Sequence, residues 1–429
     1  MTAAVAAAVF RGRRRTASGA ATGAPLVTLA TLASGVLTYG FLILAARSLG
    51  QEAYGQVGVL WAAMFLVSIV VFRPLEQTTS RAIAERSAAG IEVRSVVRTM
   101  SVVALSAAGA LCIGFALAWR PLASGLFKSN NALMAGLVVG VLAYGASYVV
   151  RGIAGGLRWF NGYALVLLAD GGVRLVLALP LLLFTSPVIA AIAVAGAGLG
   201  GAIVPLAVGR KRLSGGLRPG RAESFGARRA IAFAIPAAVI AGADQLLVNG
   251  APLLVAIGGG SRKEVGLVFA ATMLVRAPVY VFQGFAASLL PNLTHLVRDR
   301  GLGDLQKAVA RTAGTLFVGG LVFTAGAAAV GPAAMRAVYG ARFDAPALSL
   351  ALLAAGVACY LAAGTFSQAL LALDHGVRGA TCWTAAVGAF IGAYATLPGN
   401  PLFRACSSLA IGSLVGAVAL GGALARQSR

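Results

Sequence analysis

The chain shows neither the two-residue alternation of a half-buried strand nor the narrow apolar stripe of a surface helix; it is built of long runs in which nearly every position is apolar. Twelve such windows lie along it, at approximately 25–45, 54–72, 99–119, 132–155, 162–184, 187–208, 230–256, 265–290, 309–330, 346–371, 376–397 and 402–425. A hydrocarbon core about 30 Å thick takes roughly 20 apolar residues of helix per crossing, and each window supplies about that length. Lipid offers no partner for backbone N–H and C=O groups, so each window is expected to be a helix; a closed barrel would need an alternation that is absent here. The breaks after 184, 371 and 397 are very short, so adjacent helices there are expected to turn back tightly.

Composition agrees with this picture. The chain is 59% hydrophobic and only 11% charged, with a mean hydropathy of +0.88, outside the range of a soluble domain of this length. Glycine (56 residues) and alanine fill the window interiors and suit close helix approach in lipid. Met1 to Phe10 are apolar but precede Arg11, Arg13, Arg14 and Arg15, the reverse of a secretory signal, so residues 1–24 are expected to form a basic cytoplasmic tail.

A net charge of +23 would suit nucleic acid in a soluble protein, but in a membrane protein Lys and Arg first fix orientation. With the N-terminus inside, 24 basic residues fall in cytoplasmic segments and 8 outside (Arg47, Arg120, Lys128, Arg262, Lys263, Arg336, Arg342 and Arg404). That asymmetry places both termini in the cytoplasm and leaves no role for nucleic acid. The densest cluster, Arg210, Lys211, Arg212, Arg218, Arg221, Arg228 and Arg229, lies at the midpoint, where it serves either as a topology-fixing linker or as a contact for anionic lipid headgroups. Arg outnumbers Lys 31 to 4, a bias of GC-rich bacterial genomes that points to a bacterial cytoplasmic membrane.

Six windows on either side of this linker imply two lobes: 25–208 and 230–425, joined by 209–229 and followed by a tail at 426–429. The halves begin alike. LGQEAYGQVGVLWAAM (Leu49 to Met64) and GGSRKEVGLVFAATM (Gly259 to Met273) each place a polar turn, an acidic residue and a glycine (Gly55, Gly266) before a helix containing Ala-Ala. An even number of crossings per half makes these parallel repeats, related by a pseudo-twofold axis along the membrane normal.

Arg47, Leu49, Gly50, Tyr54 and Gly55 match an Arg-x-Leu-Gly-x-x-x-Tyr-Gly pattern, and Gly266, Arg276, Pro278 and Pro291 match a glycine-rich helix start followed by Arg-x-Pro and a later proline. Here the chain resembles the multidrug/oligosaccharidyl-lipid/polysaccharide (MOP) flippase superfamily, in its polysaccharide-export branch. The resemblance implies an all-α, MATE-like membrane protein of two six-helix lobes. It further implies transport of a polyprenyl-pyrophosphate-linked oligosaccharide to the outer leaflet through a V-shaped cavity. Membrane lipids, the lipid-linked glycan and polysaccharide-assembly proteins are the expected partners.

Ionisable groups at membrane depth cost about 2.5–3.5 kcal/mol each on insertion scales, so each needs a partner or a function. Asp170 and Arg174 share one helical face. Either they neutralise each other, or Asp170 couples transport to H+ or Na+ while Arg174 faces the cavity. Arg276 has no acid within one turn and needs a substrate phosphate or a partner such as Asp244 on the preceding helix. Asp244 is also a candidate for ion coupling, and Gln245 and Asn249 beside it can bind sugar hydroxyls or join helices. Arg151 lies near the inner end of its window, where it either snorkels or faces the substrate cavity, and Arg73 and Glu76 flank Pro74 at the expected inner end of the second helix, where they either line the cytoplasmic mouth or mark the membrane edge. Cys112, Cys359, Cys382 and Cys406 have the spacing of packing residues rather than of a disulfide or zinc site. His295 and His375 have no ligand spacing and there is no Walker-type loop, so no metal, cofactor, ATP use or enzymatic activity is expected. Two other functions stay open: a cation-coupled drug exporter of the same superfamily, favoured by an exposed Asp170 or Asp244, and a non-transporting scaffold working through its basic loops.

Overall fold

The computed structural model describes residues 3–216, 225–276, 279, 302–373 and 375–426, and every regular element among them is a helix. Arg218, Arg221, Pro278, Pro291, His295 and most of the second half of the 265–290 window lie outside the described residues. The helices are α1 (Ala3–Ala88), α2 (Arg94–Leu117), α3 (Trp119–Phe127), α4 (Asn131–Gly156), α5 (Phe160–Ala178, extended by a 3₁₀ turn, Leu179–Leu182), α6 (Pro187–Gly216), α7 (Ala227–Ile257), α8 (Arg262–Val275), α9 (Leu302–Tyr339), α10 (Ala347–Ala372), α11 (Gly376–Thr396) and α12 (Pro401–Ala425). Among the described residues, 9 helices are long and apolar enough to cross a membrane.

The first of these contains two crossings. Gly50 (φ 70°, ψ 176°) interrupts α1 with a backbone conformation that glycine adopts without steric cost. Phe41 and Trp61 stack with ring centroids 6.2 Å apart, whereas twenty residues of straight helix would separate them by about 30 Å. The chain therefore folds back at Gly50, and the windows 25–45 and 54–72 are the two arms of one hairpin. The second arm outlasts its window: it passes through Pro74 and ends at Ala88. Arg73 and Glu76 are thus well inside a helix rather than at its end. The first arm likewise begins at Ala3, so the expected tail continues it, and α6 and α7 extend into the expected linker from both sides.

Sequence reading also missed α3, nine residues between the third and fourth windows. It buries Ala123 and Phe127, and Trp119 Nε1 donates to Asn131 Oδ1 at 3.0 Å, which ties it to the start of α4.

The hairpin α1 packs with α4, α5 and α6 in one lobe, while α10 and α12 form the centre of the other, with α9, α11 and α7 around them. Small residues permit these contacts. A Cβ at Gly198 of α6 would stand 2.8 Å from the Tyr144 amide nitrogen of α4, so only hydrogen fits between these backbones. The lobes meet along α1, α7 and α8. Near the Gly50 end, a Cβ on Gly55 would collide with the Arg262 carbonyl, and one on Gly266 with the Gln51 carbonyl. Each glycine lies four residues after the residue its partner would strike, a reciprocity expected of two repeats about a twofold axis. Deeper along the seam, Tyr39 donates to the Met273 carbonyl at 2.7 Å.

Gly198→Val is expected to destabilise the protein by about 1–3 kcal/mol through overpacking. Gly109→Ala should leave stability unchanged, because a Cβ there meets nothing within 4 Å. Thermal unfolding in detergent measures both, and an unshifted midpoint for Gly198→Val would refute this account of the α4–α6 contact.

Candidate functional site

The polar side chains at membrane depth form two groups. The first is enclosed in the N-terminal lobe. Arg174, 2% exposed, donates to Asp170 Oδ2 at 2.7 Å on its own helix, to Tyr144 Oη at 2.6 Å on α4 and to Thr38 Oγ1 at 2.7 Å on α1. Tyr144 in turn donates to Asp170 Oδ1 at 2.6 Å, and the Trp61 ring lies 5.1 Å from the guanidinium carbon. The helical pair anticipated from i, i+4 spacing is formed, and three elements converge on it. With Arg174 buried and Asp170 only partly exposed, this charge pair holds helices together, because lipid supplies no alternative partner.

The second group straddles the seam. On the N-lobe side, Arg151 Nε lies 3.4 Å from Glu76 Oε1, Arg151 donates to Tyr163 Oη at 2.8 Å, and Tyr163 donates to Glu76 at 3.0 Å. The rings of Tyr148 and Tyr163 flank the Arg151 guanidinium at 5.0 and 5.2 Å. Arg151 is therefore anchored within its lobe and does not reach toward a membrane surface.

On the C-lobe side, Arg276 caps α8 and donates to Asn249 Oδ1 at 2.6 Å and to the Val248 carbonyl at 3.3 Å. Asn249 donates to Gln245 Oε1 at 2.7 Å, and Gln245 Nε2 lies 3.3 Å from Asp244 Oδ2. Tyr360 of α10 donates to Asp244 Oδ1 at 2.5 Å. The α7 polar patch read from sequence is thus one connected chain from Asp244 to Arg276. Tyr360 packs at a tilt against Trp383, ring centroids 6.0 Å apart, and Trp383 donates to Ser367 Oγ at 3.0 Å.

Between the two sides stands Arg73. It lies near the point where α1 approaches α7: a Cβ at Gly242 would be 3.3 Å from Val70 Cγ2. The charges of Asp244, Glu76 and Arg151 all act on its guanidinium, and Tyr360 lies within electrostatic reach of both Arg73 and Arg276. Arg73 is half-buried and, among the described residues, donates no hydrogen bond. The seam thus gathers three guanidinium groups against two carboxylates; Arg151 and Arg276 are each held by hydrogen bonds to neighbouring groups, whereas Arg73 donates none among the described residues.

The tyrosines were not foreseen as site residues. Tyr144, Tyr148 and Arg151 fall at i, i+4 and i+7 on α4, a polar stripe visible in the sequence. Tyr360 gave no such signal, because its partner Asp244 is 116 residues away.

No protein-family model matches the chain. It is 27% identical over 400 residues to the uncharacterized protein Mb3654 of Mycobacterium bovis, covering 91% of this chain and 89% of that one. It is also 27% identical over 388 residues to the uncharacterized protein Rv3630 of Mycobacterium tuberculosis, covering 88% and 86%. Among solved structures, the inward-facing conformation of a multidrug resistance MATE family transporter of the MOP superfamily matches with a TM-score of 0.70 and 16% identity, over 94% of this chain and 100% of that one. The outward-facing conformation of a multidrug resistance MATE family transporter of the MOP superfamily matches with a TM-score of 0.64 over 94% and 95%, again at 16% identity. The Vibrio cholerae MATE transporter VcmN matches with 0.60 over 96% and 99%, also at 16% identity. The chain has the two-lobed, all-helical MATE transporter fold.

Asp170→Asn is expected to destabilise the protein by about 3–5 kcal/mol, because it leaves the Arg174 charge buried without its counter-ion. Arg73→Gln should change stability by no more than about 0.5 kcal/mol. Denaturant unfolding of the two purified variants checks the contrast; similar losses would show that Arg73 is a structural cation too.

Proposed function

We propose that this protein is a flippase that carries a polyprenyl-pyrophosphate-linked oligosaccharide across the cytoplasmic membrane, its two lobes rocking between inward-open and outward-open states. The observation that carries this reading is Arg73, a half-buried guanidinium at the seam of a transporter fold that donates no hydrogen bond among the described residues. Guanidinium binds phosphate oxygens through paired, charge-assisted hydrogen bonds, so a pyrophosphate would supply the acceptors Arg73 lacks. Arg151 and Arg276, already held in place, add positive potential around it. Gln245 and Asn249 offer amides to sugar hydroxyls, and the lipid tail stays in the bilayer throughout.

The distribution of Lys and Arg supports an orientation with both termini in the cytoplasm and the Gly50 end outside. Asp244, at the seam and bonded to Tyr360, is better placed to couple transport to H+ or Na+ than Asp170, which Arg174 occupies. A second reading, a cation-coupled exporter of small molecules, draws support from the multidrug resistance transporters with which the fold is shared. The excess of arginine at the seam argues against cationic cargo.

Mass spectrometry of lipid extracts from cells lacking the protein tests the choice. Lipid-linked oligosaccharide should accumulate and be cleared by the wild type. Arg73→Gln should clear it at least about tenfold more slowly, the worth of one charge-assisted hydrogen bond, and Arg276→Gln should also be impaired. Unchanged lipid intermediates together with new drug sensitivity would establish the exporter instead. Normal clearance by both arginine variants, with failure on neutralising the 210–229 cluster, would point to a scaffold.

A further inference from the structure

At the Gly50 end the two lobes close over a buried aromatic cluster. Tyr54, fully buried, lies just before Gly55 and projects from the N-lobe among side chains of the C-lobe. Its ring centroid is 5.0 Å from that of Phe269, 6.3 Å from that of Tyr339 and 5.6 Å, edge-on, from that of Phe343. These contacts suit a phenyl ring. The Tyr54 hydroxyl, by contrast, is buried with no hydrogen-bond partner among the described residues. Tyr39, on the other arm of the same hairpin, shows the usual arrangement, its hydroxyl satisfied by the Met273 carbonyl.

Around this cluster the closure is made mostly of bonds to backbone. Arg47 donates to the Val338 carbonyl at 2.9 Å and also to that of Ala337. Gln51 donates to the Arg342 carbonyl at 2.5 Å. Glu52 and Arg262 lie 4.0 Å apart as an ion pair, with side chains 59% and 28% exposed. Inside this ring, the Gly55 and Gly266 backbones touch with no side chain between them.

We infer that Tyr54 is a built-in destabiliser of this closure, and that its orphaned hydroxyl sets how readily the lobes part at this end. A hydroxyl taken out of water without a new partner keeps its desolvation cost for as long as the seal is shut. When the lobes separate, the end of the ring meets water and that cost vanishes. The rings and the glycine contact hold the seal closed, while the hydroxyl keeps it from becoming permanent. The inference rests on the rocking motion proposed above but not on the identity of the cargo.

Hydrogen–deuterium exchange of the full-length protein in lipid nanodiscs, without cargo, reads the opening directly at residues 48–60 and 258–270, because exchange there follows the population of the open form. Tyr54→Phe keeps every ring contact and removes only the orphaned group, so it should slow exchange in both segments about tenfold. Gly55→Val, which puts a side chain where the Arg262 carbonyl stands, should accelerate it. Unchanged or faster exchange in Tyr54→Phe overturns the inference, and that variant decides alone if Gly55→Val fails to fold. Exchange is read without cargo, so a failure of the substrate assignment and a failure of this inference are separable.

Discussion

The two lobes are held in register where α1 and α8 meet without side chains, at Gly55 and Gly266. Lipid provides little hydrophobic drive between helices, so their association depends on close van der Waals approach and on internally satisfied polar groups. The glycine contact supplies the first of these. It fixes the distance between the lobes at the Gly50 end and allows the hairpin turn to bond to carbonyls of the opposite lobe. Farther along α1, where it runs beside α7, Arg73 lies within the field of Asp244.

The same solvent constraint sorts the charges. The Asp170–Arg174 pair is closed off with Tyr144 and Thr38 and behaves as a structural joint within one lobe. Charges at the seam are arranged differently: each side is braced internally, Arg151 by Glu76 and Tyr163, Arg276 by Asn249, and Arg73 stands between them with its donors uncommitted. A rocking motion would leave the braces intact and change the surroundings of Arg73, which is the differential interaction that any ligand-driven change of state requires.

Much of this was legible in the chain. Runs of apolar residues gave the crossings because backbone satisfaction in lipid leaves so few alternatives. The Arg-x-Leu-Gly-x-x-x-Tyr-Gly signature and the weak internal repeat turn out to describe one contact: Arg47 bonds across the seam, Gly50 turns the hairpin, Tyr54 enters the aromatic cluster, and Gly55 meets its repeat counterpart Gly266. Ser261 and Glu264, in the repeat's polar turn, form a capping box that starts α8. The reading fell short wherever local pattern gave no guide. Pro74 and its charged neighbours suggest a helix end, yet α1 runs on to Ala88. Arg276 drew attention because no acid was near it in sequence, but its partner Asn249 lies 27 residues away on another helix. Nothing in the local pattern separates Arg73 from Glu76 three residues on, yet Glu76 is bound to Tyr163 and Arg151 while Arg73 is not.

The central claim is that the seam binds an anionic headgroup through Arg73, and binding itself tests it most directly. Native mass spectrometry of the purified protein with a polyprenyl-pyrophosphate oligosaccharide should show a complex with the wild type and a loss of about tenfold or more in affinity for Arg73→Gln, with the folded population unchanged. Equal binding by the two proteins, or none by the wild type at any concentration at which a monophosphate lipid control also fails to bind, would contradict the account.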